Sequence, residues 1–213
     1  MIAAQGRRPL AVVFDLGGVV FDWRPRAVVA AALPARVANE HDAAHWAREI
    51  FQGYGGDWQH FDRGTVEPDE LVLRIARRSG LHEHEVRAVI DAVPHALKPL
   101  PQTVEMLRGL AAAGTRLHYL SNMPAPYARH LVETHADVFA LFDGGVFSSH
   151  VKIVKPEPAL FEHALARIGA APHECVLLDD HAPNVEAARA LGWQAVLFTD
   201  AAQAADALRR LGV

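Results

Sequence analysis

Among 213 residues there is a single cysteine, Cys175, so no internal disulfide supports the fold. A reducing, cytoplasmic setting suits such a chain best. Basic residues are outnumbered: 21 Lys and Arg face 25 Asp and Glu, a net charge of −4. That shortage argues against a nucleic-acid partner, because gripping a phosphate backbone takes a basic face. No apolar run approaches the roughly 18 residues of a membrane span, so no membrane role is expected. The opening MIAAQGRRPL has no long apolar stretch behind Arg7 and Arg8 and reads poorly as a secretory signal. Repeats, low-complexity tracts and long charge runs are missing too. What is present suffices for a core: 51% of the residues are hydrophobic and 22% charged, the balance of a globular chain. The length fits one large domain, or one domain carrying a sizeable insertion.

Short runs rich in Val, Leu and Phe stand at 10–14, 117–120, 146–147, 175–178 and 195–198. They are too short for helices and are bounded by polar residues or Gly, as buried parallel strands are. Between the later runs the apolar spacing is helical, over 103–113, 127–134, 157–168 and 185–191. Three of these four close on a glycine: Gly114, Gly169 and Gly192. Strand alternating with helix predicts an open, Rossmann-like α/β parallel sheet with helices on both faces. Residues 23–97 break the alternation. These residues, about 75 in number, hold helical patterns at 68–78 and 83–93 but no strand, too much for a simple crossover. They read as a helical cap domain inserted into a core made of 1–22 and 98–213, with 53–56 a loop between cap helices.

In an open α/β sheet, ligands bind beyond the carboxyl ends of the strands. Each apolar run here ends in polar groups: Asp15 before Leu16, Gly17 and Gly18; Ser121 and Asn122; Ser148 and Ser149, then Lys152 and Lys155; Asp179 and Asp180, with Asn184 beyond. Parallel strands would bring them to one crevice. Packed carboxylates repel, and they stay ionised only around a cation. Carboxylate and carbonyl oxygens are what Mg2+ prefers, often with a phosphate in its shell. A hydroxyl, an amide and a lysine make a cradle for phosphate oxygens. A carboxylate can also attack phosphorus, splitting one hard displacement into two easier ones. The set supplies the nucleophile, metal site and charge clamp of phosphoryl transfer.

Taken in order, VVFDLGGVVFD, LHYLSN, KPEPALFEHAL and CVLLDDHAPNVEAARALGWQAV resemble the four motifs of the haloacid dehalogenase-like superfamily over nearly the whole chain. The helical insertion matches the small cap of its phosphatase branch, and the chain is most similar to sugar-phosphate phosphatases of the glucose-1-phosphate phosphatase type. The resemblance implies an Mg2+-dependent enzyme that hydrolyses a small-molecule phosphate ester. It makes Asp15 the nucleophile and a metal ligand, and gives Mg2+ the carbonyl of Gly17. It sets Ser121 and Asn122 on the phosphate, and Lys155 on both the phosphate and Asp15. Asp180 becomes a direct metal ligand, Asp179 a ligand directly or through water, and Asn184 the residue that orients this loop. Oligomeric state is left open.

One position departs from the pattern. Phosphatases of this kind usually read Asp-x-Asp, the second Asp protonating the leaving group; here that place is Gly17, as in some relatives. General acid help is typically worth about 10²–10⁴-fold, so the proton needs another source: a cap acid such as Asp57, Asp62 or Glu67, a metal-bound water, or an acidic leaving group. Glycine there also suggests backbone angles closed to Asp. Blander readings exist: Asp179–Asp180 and Ser121–Asn122 as helix caps, Lys152 in place of Lys155, and His41 and His45 as a solvated helix face and not a zinc pair. A dehalogenase would not keep the Asp179–Asp180 pair. A phosphonate hydrolase would want a cap lysine, yet none precedes Lys98. A binding module that lost its catalysis with the acid is the non-enzymatic alternative.

Overall fold

The computed structural model describes residues 11–213; Leu10, expected in the first strand, and the start with Arg7 and Arg8 lie outside them. The first strand, β1 (Ala11–Phe14), leads into a helical segment of α1 (Pro25–Ala32), α2 (Glu40–Phe51), α3 (Asp57–Asp62), α4 (Pro68–Ser79) and α5 (Glu83–Ala96). Then follow α6 (Pro101–Ala112), β2 (Arg116–Ser121), α7 (Ala125–Thr134), α8 (Ala136–Phe139), β3 (Gly144–Phe147), α9 (Ser148–Val151) and α10 (Pro158–Ile168). The chain closes with β4 (Cys175–Asp179), α11 (Ala182–Ala190), β5 (Gln194–Leu197) and α12 (Ala201–Arg210).

All five strands are parallel, in the order β3-β2-β1-β4-β5. β1 lies between β2 and β4, so the chain fills one side of the sheet and then the other. That reversal opens a crevice at the carboxyl ends of β1 and β4. The period-2 geometry of β1 divides its side chains between two cores. Val12 and Phe14 join Leu107 of α6 and Leu208 of α12, while Ala11 and Val13 join Phe161 of α10 and Val185 of α11. All four β1 residues are fully buried, and for that reason the run reads as continuously apolar.

The first of these cores does not stop at the sheet. It continues through Val29, Ile50, Leu71, Ile75 and Val89 of the cap helices. Aromatic contacts carry the join, with Phe61 edge-on to Tyr127 at 5.4 Å, and Tyr127 Oη donates to Ile90 O at 2.7 Å. Entry to and exit from the cap are pinned together: Asp22 N donates to Lys98 O and Leu100 N to Val20 O, each at 2.8 Å.

Several elements extend past the sequence reading. β3 begins at Gly144, because a Cβ on Gly145 would sit 2.3 Å from the Tyr119 ring that packs over it. α5 runs through Pro94 to Ala96; the proline has no N–H for Ile90 O, which accepts from Tyr127 Oη instead, and Leu97 N still reaches Val93 O. α12 carries a clear start signal, the Asp200 side chain accepting from Gln203 N at 2.9 Å. Asp200→Ala is expected to lower stability by about 1 kcal/mol with catalysis untouched, since Asp200 does not line the cavity. Urea unfolding measures this; an unchanged midpoint contradicts it.

Candidate functional site

β1 delivers Asp15 to the crevice beside β4, where Asp15 N donates to Leu178 O at 2.8 Å. The chain then turns back on itself. Val20 N and Phe21 N both donate to Leu16 O, and Gly18 N donates to Phe21 O. None of these bonds takes the Gly17 carbonyl. Gly18 sits at φ 78°, and a Cβ there would lie 2.2 Å from Asp180 Oδ2. The loop can therefore approach the Asp180 carboxylate only as glycine. Gly17 is different: its φ is not left-handed, and a Cβ would meet Trp23 at an ordinary 3.8 Å. The expected strain at Gly17 is thus absent, and the constraint belongs to its neighbour.

At the centre is Lys155, 1% exposed. Its Nζ lies 2.9 Å from Asp15 Oδ2 and 2.7 Å from Asp179 Oδ2. Its backbone is clamped by Asn122, whose Nδ2 donates to Lys155 O at 3.0 Å and whose Oδ1 accepts from Lys155 N at 2.8 Å. The side chain of Asn122, expected on the phosphate, lines the cavity and is engaged with the Lys155 backbone. Asp179 is fully enclosed, accepting from Lys155, from His181 N at 2.9 Å and from Asn184 Nδ2 at 2.9 Å. Both of its oxygens accept from protein donors, the lysine among them, while one also lies within the carboxylate group that could hold a metal. Asn184 fixes that carboxylate in place. Lys152 points elsewhere: its Nζ donates to Gly64 O in the cap.

Three carboxylates face one ammonium. Oxygens of Asp15, Asp179 and Asp180 lie within 4.8 Å of one another. Burial raises the pKa of Asp15 from 3.8 to about 7; Lys155 opposes the rise, and Asp179 and Asp180 add to it. Burial also raises Asp180, His181 opposing and Asp179 adding. For Lys155 burial works downward, and the charges of Asp15 and Asp179 reverse it to a net rise. Among the described residues Asp180 Oδ1 is buried without a hydrogen-bond partner. Hard oxygen donors, surplus negative charge and an unsatisfied carboxylate oxygen fit Mg2+, which Asp15, Asp180 and the Gly17 carbonyl can hold.

Above this charged floor opens a cavity of about 650 Å3. Ser121, at the end of β2 and 1% exposed, lies on the floor with Asp15, Lys155 and Asp180. Trp23, Phe51, Trp58, Met123 and Tyr127 line the wall, with Arg26 and Arg48 among the charged residues around it. Tyr54, on the loop between α2 and α3, reaches Asn184 Oδ1 at 3.2 Å and His181 Nδ1 at 3.3 Å. Its hydroxyl pKa is pushed up to about 12, mainly by burial. Sequence reasoning put Tyr54 among the cap aromatics without this contact, and it missed the demand on Gly18. The loop composition signals only a turn, and the partners are distant in sequence.

A doubly wound parallel sheet, an acidic crevice at its switch point and a helical cap above define a class of α/β hydrolase. The chain belongs to the haloacid dehalogenase-like hydrolases: the model of that family matches residues 9–192. A sesquiterpene phosphatase of Aspergillus oryzae, astK, is 30% identical over 203 residues, which cover 94% of this chain and 95% of that protein. A phosphoglycolate phosphatase of Nitrosospira multiformis is 28% identical over 189 residues, covering 85% and 79%. Among solved structures, a haloacid dehalogenase-family enzyme of Bacteroides thetaiotaomicron, in complex with magnesium and inorganic phosphate, superposes with a TM-score of 0.69. It shares 19% identity over 90% of this chain and 94% of that one, a likeness of fold. No helix among the described residues is long and apolar enough to cross a membrane.

The electrostatics carry a pH signature. With its folded pKa raised from 3.8 to about 7, Asp15 supports folding fully below the lower value and loses that contribution as pH rises through the upper one. Metal-free protein is expected to melt progressively lower across that window, and Asp15→Asn to melt several degrees above wild type at pH 8 but not at pH 4. Thermal melts in chelator measure this; a gap independent of pH contradicts it.

Proposed function

We propose that this hydrolase is an Mg2+-dependent phosphatase acting on a small phosphate ester with an apolar leaving group, through a phospho-Asp15 intermediate. The observation that carries the reading is the cavity itself, a charged floor of Asp15, Ser121, Lys155 and Asp180 beneath an aromatic wall. Within the small phosphorylated metabolites that the sequence implies, such a wall favours an apolar alcohol over a sugar, whose hydroxyls would need partners. The sesquiterpene phosphatase among the relatives supports the same direction.

Residues 23–97 serve as the cap, hinged where Asp22 pairs with Lys98, and 1–22 with 98–213 as the catalytic core. An Asp15 oxygen attacks phosphorus, the ester P–O bond breaks, and the alcohol leaves. Water then attacks the phosphorus of phospho-Asp15, releasing phosphate and restoring the carboxylate. Lys155 opposes the protonation of Asp15 that burial favours and meets the charge of the transferring phosphoryl group. Ser121 holds a phosphate oxygen from the end of β2. Asn122 and Asn184 act at one remove, fixing Lys155 and Asp179. When bound, Mg2+ offsets the surplus carboxylate charge and that of the phosphate. Aromatic closure over the floor excludes water, which strengthens each of these interactions.

Two measurements test this. Asp180→Asn is expected to raise the Mg2+ concentration for half-maximal activity about 10–100-fold, whereas Asp179→Asn lowers turnover with little change in that midpoint. Superimposable Mg2+ titrations for the two variants contradict the ligand assignment. In a panel of phosphate monoesters, prenyl or long alkyl phosphates are expected to exceed hexose phosphates in kcat/KM by roughly tenfold or more, since each buried CH2 contributes about 0.8 kcal/mol. The reverse ranking contradicts the apolar assignment.

A further inference from the structure

An aliphatic alkoxide leaves badly at neutral pH, so a phosphatase for apolar alcohols needs a proton at the ester oxygen. The acid usually found two residues after the nucleophile is Gly17 here. The cap offers acids, and the structure separates them. Asp57 is bonded to Arg78, and Glu67 is exposed. Asp62, the last residue of α3, lines the same cavity as Asp15 and Gly17. Among the described residues, no cation or hydrogen-bond donor engages its carboxyl group.

Its position is fixed from the core, not only from the cap. Ser148 Oγ, at the carboxyl end of β3, donates to Asp62 O and accepts from Met123 N at 2.9 Å, next to the Ser121–Asn122 turn. The following residue, Arg63, binds Glu157 and donates to Lys152 O at 3.2 Å; Lys152 returns a bond to Gly64 O. Residues 62–64 are thus the stretch of cap clasped onto the loop that bears Lys155.

We infer that Asp62 supplies, from the cap, the proton that Gly17 cannot. The inference rests on the phosphatase reading above. As the Asp15–phosphorus bond forms and the ester P–O bond breaks, the Asp62 carboxyl proton passes to the departing oxygen. The Asp62 carboxylate then takes a proton from the water that attacks phospho-Asp15. Inorganic phosphate leaves, the Asp15 carboxylate returns, and Asp62 is again a carboxylic acid. Its protonated resting form agrees with its surroundings: burial holds the Asp62 pKa well above the carboxylate range, Asp15 adds to this, and Lys155 partly opposes it.

Rapid-mixing kinetics with an aryl and an alkyl phosphate test the inference. An acidic phenol leaves without help, so Asp62→Asn is expected to raise the aryl-to-alkyl ratio of phosphoenzyme formation by about 10²–10⁴-fold. Adding Gly17→Asp to that variant, at a position with room for the side chain, is expected to bring the ratio back toward wild type. A ratio unmoved by Asp62→Asn overturns the inference, whether both rates hold or both fall together. Wild type gives an independent reading that does not depend on the variant folding. Its phosphoenzyme formation is expected to vary little with leaving-group acidity, and a steep dependence overturns the inference. Wild type that forms phosphoenzyme yet fails these tests leaves the phosphatase reading standing; wild type that forms none from either ester overturns both.

Discussion

A lysine sealed away from water between two carboxylates is the interaction on which the rest of this site depends. Desolvating an ammonium costs several kcal/mol, and Lys155 is tolerated only because Asp15 and Asp179 lie within 3 Å of it. Those contacts require the ends of β1 and β4 to be neighbours, which the reversal of strand order provides. They also require Asn122 to hold the backbone of the lysine and Asn184 to hold its second carboxylate. With one cation set against three acids, a surplus of negative charge remains. That surplus adds to the rise that burial gives the Asp15 pKa and, with the unpartnered Asp180 oxygen, fits a divalent cation.

The cap completes the site and does not merely cover it. One buried apolar cluster runs from the sheet into the cap helices, and polar contacts fasten the cap to the core on either side of the crevice. Tyr54 meets His181 and Asn184 at the β4 end, and Arg63 meets Glu157 near Lys155. Between them stands the aromatic wall. Under the proposed mechanism this division separates chemistry from selectivity: the strand ends act on the phosphoryl group, and the cap decides what alcohol it is attached to.

The parts that could be read from the sequence are those governed by local pattern. The strands are legible as short apolar runs, most fully β1 and β4, whose residues are all buried, and their polar end residues locate the crevice. Asp15 and Ser121 follow from that rule, whereas Lys155 over Lys152 and Asp180 over Asp179 come from the motif resemblance. β3 was foreshortened because Gly144 and Gly145 carry no apolar signal, although the ring of Tyr119 demands the second of them. α1 and α2 are not delimited by the sequence reading; the His41–His45 spacing marks a helix face in what proves to be α2, and α1 goes unremarked. The commitment of Asn122 to Lys155, of Lys152 to Gly64 and of Tyr54 to His181 lay beyond reach for another reason. Each joins residues far apart in the chain, and no spacing rule encodes such a pairing. Strain was expected at Gly17 and found at Gly18, since a φ angle depends on where the turn closes and not on composition.

In the proposed mechanism Asp15 becomes covalently phosphorylated, with Lys155 favouring its ionised, nucleophilic form. Acid quenching during turnover of an aryl phosphate, followed by peptide mass analysis, tests it most directly. The account predicts one phosphoryl group on the peptide containing Asp15, present in wild type, strongly reduced in Lys155→Met and absent in Asp15→Asn. Turnover with no phosphorylated peptide at any quench time, or a phosphoryl group on another residue, would contradict it.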